Sequence, residues 1–121
     1  VINIKPLILS ALETISGIAQ ICKDFPKDFA KMPTITYKIE DNSTHTRVDG
    51  KEVLSNIRFQ IDVWAERASE GSAICSKVDE IFSGMGFERN FYQDIEDGEL
   101  NHSIMKYHGI VDSEMKYVYQ E

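Results

Sequence analysis

At 121 residues and 42% apolar composition, the chain is long enough to bury one core and too short for two ordinary domains, so a single unit over 1–121 is expected. A formal net charge of −7 argues against a protein that grips nucleic acid by neutralising phosphates with clustered Lys and Arg. No run of about 18 apolar residues offers a membrane span, and no basic segment leads into an apolar core as in a secretory leader, so a cytoplasmic protein is expected.

From Ile4 to Cys22 the apolar residues Ile8, Ala11, Leu12, Ile15, Ile18, Ala19 and Cys22 recur at spacings of three and four, which predicts one helix with a buried face. Pro6 suits its first turn, where a missing N–H costs nothing. The following KDFPKDFAKMP carries two prolines that block helix and central strand alike, and is predicted to be a surface connector.

Thr34 to Glu40 alternates, with Ile35, Tyr37 and Ile39 on one side, as a half-buried strand does. The polar segment from Asp41 to Glu52 contains Asp49-Gly50, a pair suited to the positive φ angles of a hairpin turn, and reads as a protruding loop or β-arm. In the next strand, Ile57, Phe59, Ile61, Val63 and Ala65 share one side. Arg58, Gln60 and Asp62 share the other, together with the only tryptophan of the chain, Trp64.

Ser69 is placed to cap a second helix, in which Ile74, Val78, Ile81, Phe82 and Met85 form the stripe and Gly84 and Gly86 the stop. Phe87 to Ile95 and Leu100 to Ile110 are predicted strands joined at Asp97-Gly98, and Met115 to Tyr119 a last strand. The order implies an α+β fold: an antiparallel or mixed sheet of about five strands with two helices on one face. Cys22 and Cys75 fall in helix-like segments without CxxC spacing, and read as buried reduced thiols.

Catalytic chemistry finds little support. His102 and His108 stand six residues apart on one strand, roughly 20 Å, too far to share a site, and His45 lies in the polar arm. Glu96, Asp97 and Glu99 at a hairpin tip lack the alternating ligands of a calcium loop, and Gly84-Met85-Gly86 lacks the lysine of a phosphate loop. No catalytic residue, metal ligand or cofactor site is expected, and the protein is read as no enzyme.

The mixed strand faces are more telling. A two-layer subunit should leave one sheet face wet, yet the strand from Leu100 carries apolar residues on both sides, and Trp64 and Tyr92 lie among charged neighbours. Trp64, Tyr92, Met105 and Tyr107 are therefore candidate interface residues, together with His45 and Arg47 on the arm. For Trp64 the competing reading is that it folds over the sheet edge onto the following helix.

As a set, YKIEDN (Tyr37 to Asn42), FQIDVWAE (Phe59 to Glu66), SAICSKVDEIFSGMGF (Ser72 to Phe87) and HGIVD (His108 to Asp112) resemble the tail completion, or tail terminator, proteins of tailed bacteriophages and of prophages of Gram-positive bacteria. The resemblance implies a structural subunit that forms a hexameric ring at the head-proximal end of the tail tube. Its partners would be further copies of itself, the major tail tube protein and the head–tail connector protein, with no membrane involved. Its place would be the host cytoplasm during assembly and then the virion tail. DNA would pass through the ring without specific binding, which an acidic bore favours. The rival reading is a small adaptor or ligand-binding α+β domain that uses the same aromatics to line a pocket.

Overall fold

The computed structural model describes residues 1–115 and 117–120. Two helices and a six-stranded mixed sheet make an α+β fold. The elements are α1 (Lys5–Glu13), β1 (Gln20–Lys23), β2 (Thr34–Val48), β3 (Lys51–Ala65), α2 (Ala68–Met85), β4 (Glu88–Asp97), β5 (Leu100–Asp112) and β6 (Val118–Tyr119). The sheet runs β1-β2-β3-β5-β4, and β6 pairs with β5 beyond the end of β4.

Helix α1 starts where expected, with Pro6 in its first turn and the Asn3 side chain accepting the Lys5 N–H at 3.2 Å. It ends at Glu13, earlier than the spacing predicts. Gly17, at φ +81, turns the chain, and Gln20–Lys23 leaves as a strand parallel to β2. Ile15 and Cys22 are buried all the same, and Ile18 packs against the core, because turn and strand happen to place them on the same side as a continued helix would. Cys22 is thus a strand residue. It and Cys75, which lies in α2, are both free and buried.

β2 and β3 form one long hairpin. Asp49 and Gly50, at φ +52 and +77, make its two-residue turn, as the right-handed strand twist favours. β4 and β5 form the second hairpin, turned one residue later than predicted: Asp97 pairs with Leu100, so Gly98 and Glu99 make the loop and Gly98 takes the positive φ of +64. Helix α2 begins after Arg67, with Ser69 already inside the first turn and Gly84 still helical. It closes at Gly86, φ +107, where the Gly86 N–H donates to Ser83 O and the Phe87 N–H to Phe82 O, the paired closure of a Schellman motif. The predicted strand from Met115 shortens to Val118–Tyr119; Lys116 lies outside the described residues.

Both helices cover the same sheet face. Ile8 and Leu12 of α1 and Val78 and Phe82 of α2 meet Ile35, Ile57, Phe59, Ile61 and Val63 there. Phe59 is the centre of an aromatic cluster, with ring centroids 5.0 Å from Phe82, 4.9 Å from Phe87 and 5.5 Å from Tyr107. Strand register decides which β5 residues join them. Met105 lies opposite Ile61 and Tyr107 opposite Phe59, so both point under the helices.

Candidate interaction surfaces

The face without helices is the place to look for recognition, and sheet register builds it. Thr36, Asp62, Trp64 and His102 project there from β2, β3 and β5. The Trp64 indole stacks on the His102 imidazole, with centroids 3.6 Å apart and planes at 14°, and its Nε1–H donates to Thr36 Oγ1 at 3.1 Å. His102 Nε2 meets Asp62 Oδ2 at 2.7 Å, and Gln60 Nε2 donates to Asp62 Oδ1 at 2.7 Å. Both carboxylate oxygens are thereby engaged.

Phe29, from the connector between β1 and β2, closes over this cluster edge-on to Trp64 at 5.9 Å. Trp64 is left only 3% exposed. It lies on the face opposite the helices, so it does not fold over the edge onto α2. The large side chain on the polar side of β3 is explained by the connector, which gives that end of the helix-free face a small core of its own.

An Asp–His contact invites comparison with a nucleophile–base–acid relay. Among the described residues the hydroxyl of this cluster, Thr36 Oγ1, accepts the Trp64 N–H and makes no hydrogen bond with His102, so that relay is not assembled there. Among the described residues no group of three or more His, Cys, Asp or Glu is placed to hold a metal ion. Nor, among the described residues, is any helix long and apolar enough to cross a membrane.

The remaining interface candidates scatter. Met105 and Tyr107 are core residues beneath α2, so they present no surface in this subunit. The Tyr107 hydroxyl donates to Asp79 Oδ1 at 2.9 Å, and Arg89 Nε reaches the same oxygen at 3.3 Å. Burial first, and then the hydrogen bond to Asp79, push the Tyr107 phenol far above its ordinary range. Tyr92 stands on the flank of α2, partly exposed; burial and its hydrogen bond to Asp94 push it up to about 12. Burial likewise raises the Cys75 thiol, the opposite of what a reactive cysteine needs. His45 and Arg47 lie near the tip of the β2–β3 hairpin, exposed, with His45 Nδ1 2.7 Å from Thr46 Oγ1 and Arg47 reaching Gly50 O at 3.4 Å.

Besides Tyr92, exposed apolar groups occur where the strand alternation does not mark them. Phe25 and Phe29 are 69% and 55% exposed on the connector, and Phe91 and Ile95 are 38% and 39% exposed on the helix-free side of β4. Two phenylalanines in an otherwise polar, proline-containing loop were a legible signal. Phe91 was not, because an irregularity between Arg89 and Phe91 reverses the alternation from which its side would be read. A depression on the helix-free face, between Asp41, Asn56, Arg58, Glu88 and His108, is lined mainly by polar groups.

Comparison with known proteins bears on what such surfaces serve. The family model described as tail completion protein gp17 matches residues 8–112. The solved structure of the gp17 protein of bacteriophage SPP1 is similar in fold, with a TM-score of 0.54 at 19% identity over 87% of this chain and 86% of that one. No curated protein matches the chain.

Proposed function

The chain belongs to the tail completion protein gp17 family, with a structural role in a phage tail, and from that premise we propose that it is a non-enzymatic ring subunit that completes the tail tube and joins it to the head. The observation that carries the reading is the family match, which spans both helices and β1 to β5 almost entirely. The ring is a hexamer at the head-proximal end of the tube, touching the major tail tube protein on one side and the head–tail connector on the other. Assembly takes place in the host cytoplasm, and the virion tail is its final location.

Two physical features support a ring subunit. The helix-free face and the β4 edge carry partly exposed apolar residues that a solitary subunit has no use for. The net charge of −7 is compatible with a bore from which DNA is repelled, so that it passes without being held. The long β2–β3 hairpin, whose tip carries His45 and Arg47, serves as an arm toward a neighbouring protein.

Light scattering combined with negative-stain imaging tests the ring, and addition to polymerising tail tube protein tests completion. The expected results are closed rings and tubes whose growth stops. A mass of one subunit at all concentrations, together with tubes that grow unaffected, would overturn the reading.

A further inference from the structure

We infer that the two opposite edges of the sheet mate between copies: the connector edge beside β1 of one subunit packs on the β4 edge of the next, lysines against carboxylates and phenylalanines against Phe91 and Ile95. The inference rests on the ring reading above and names the contact that would build the ring.

The sheet order places β1 and β4 at its two ends, which is where a head-to-tail contact must take its halves. Strand register then sets the two edges at one height. Thr34, Trp64, His102 and Ile95 stand opposite one another across the sheet, and Tyr37, Ile61, Met105 and Tyr92 form a second such row. Lys23 pairs with Tyr37, and the connector runs from it back to Thr34. It therefore spans the same rows that Tyr92 to Ile95 span on the far edge.

The chemistry of the two edges is complementary. Lys23, Lys27 and Lys31 are all exposed on the connector side with Phe25 and Phe29. Of the two aspartates there, Asp28 turns its carboxylate to the Ala30 N–H at 2.9 Å. The other edge carries Asp97 and Glu99 at the hairpin end next to Phe91 and Ile95, with Asp94 and Glu96 exposed on the alternate side of the same strand, where Asp94 accepts from Ser103 Oγ at 2.6 Å. All ten residues of β4 are exposed, and among the described residues one side of the strand has no hydrogen-bonding neighbour. Such an edge is left open only where a partner or charge protects it. A second copy brings apolar surface to Phe91 and Ile95 and opposite charge to the carboxylates, and a surface that is not its own mirror continues around a ring instead of stopping at a dimer.

Charge reversal on each edge tests this. K27E/K31E alone and E96K/E99K alone should each weaken self-association about tenfold or more, while an equimolar mixture of the two should recover it with alternating subunits. Carbodiimide cross-linking of the wild-type chain should join Lys27 or Lys31 of one copy to Glu96, Asp97 or Glu99 of another. Circular dichroism and thermal unfolding of the variants should match wild type, since the changed side chains are exposed. The contact is overturned if folded variants assemble as wild type does, if mixing fails to restore assembly, or if intersubunit cross-links are absent or fall elsewhere. Rings unaffected by the reversals would keep the ring and remove this contact; dimers or open chains sensitive to them would keep the contact and remove the ring.

Discussion

Val118 of β6 fills the space in which a side chain on Gly109 of β5 would begin: a Cβ there would stand 2.5 Å from Val118 Cγ1 and 2.8 Å from Phe87 Cδ1. Gly86 makes room in the same way, since a Cβ on it would meet the Val118 carbonyl oxygen at 2.8 Å. Two glycines far apart in sequence are the seat of one short strand. Gln120 fastens it, donating from Nε2 to Gly86 O at 2.8 Å and His108 O at 3.0 Å. Gly109→Ala should therefore cost about 1–3 kcal/mol through overpacking and release β6, read as faster hydrogen exchange at Val118. An unchanged denaturation midpoint with Val118 still protected would contradict this seating.

The fold class was legible from periodicity because the stripes are long: Ile57 to Ala65 and Ile74 to Phe82 each bury one side consistently. β1 was not. Ile15, Ile18 and Cys22 fit a helical spacing, and only the position of Gly17 distinguishes a helix that stops from one that continues. The surface was harder to read than the core. Met105 and Tyr107 stand out in the sequence because β5 is apolar on both sides, and Trp64 because it lies among charged neighbours on β3, but side chains on strands whose two faces are both covered are apolar for purely internal reasons. The connector that covers Trp64 is contiguous with it in space, not in sequence, which no alternation pattern reports.

Asp62 accepts from both Gln60 and His102. Asp62→Ala leaves these two largely buried side chains without their acceptor, so a loss of about 1–3 kcal/mol is expected. Asp62→Asn keeps one carbonyl acceptor and should cost less. Chemical denaturation that ranks the two variants in the other order would show the network to be unimportant for stability.

Tyr107 gives a prediction in alkali. Its folded-state phenol lies above the ordinary value of about 10, for reasons of burial and the hydrogen bond to Asp79. Above about pH 10 the unfolded chain releases this proton while the native chain retains it, so the stabilisation is complete below that pH and is lost as pH rises further. Tyr107→Phe should flatten the fall in stability on going from pH 9 to about pH 11. A spectrophotometric titration should show Tyr107 ionising only as the protein unfolds, with Tyr92 late, near 12. If all the tyrosines titrate together near 10 in the native protein, the burial of Tyr107 is wrong.

The β2–β3 hairpin should be firm at one end and loose at the other. Near Ile61 both strands lie under the helices, whereas from Ser43 to Lys51 most side chains are exposed and the pairing shifts register between Thr44 and Arg47. Little apolar burial is left there to oppose local opening. Amide exchange in the free subunit should quicken toward Asp49 and slow on adding a neighbouring tail protein that the arm touches. Exchange at Thr46 as slow as at Ile61 in the free subunit would remove the arm from the assembly scheme.

Trp64 separates folding from association most sharply. Its indole is buried, stacked on His102, bonded to Thr36 and covered by Phe29, so Trp64→Ala removes a large aromatic from a closed site and should lose about 3–5 kcal/mol of stability. Trp64→Phe keeps most of the apolar body and loses the N–H donor, leaving a cost of about 1–2 kcal/mol. Phe29 is different, because its other side is open to solvent. Phe29→Ala should lower stability less than Trp64→Ala does and weaken self-association more, since the same ring covers Trp64 within its own chain and faces the next copy on the outside. Unfolding and light scattering on all three variants would decide the matter: if Phe29→Ala leaves association intact, the connector serves only as the lid on Trp64.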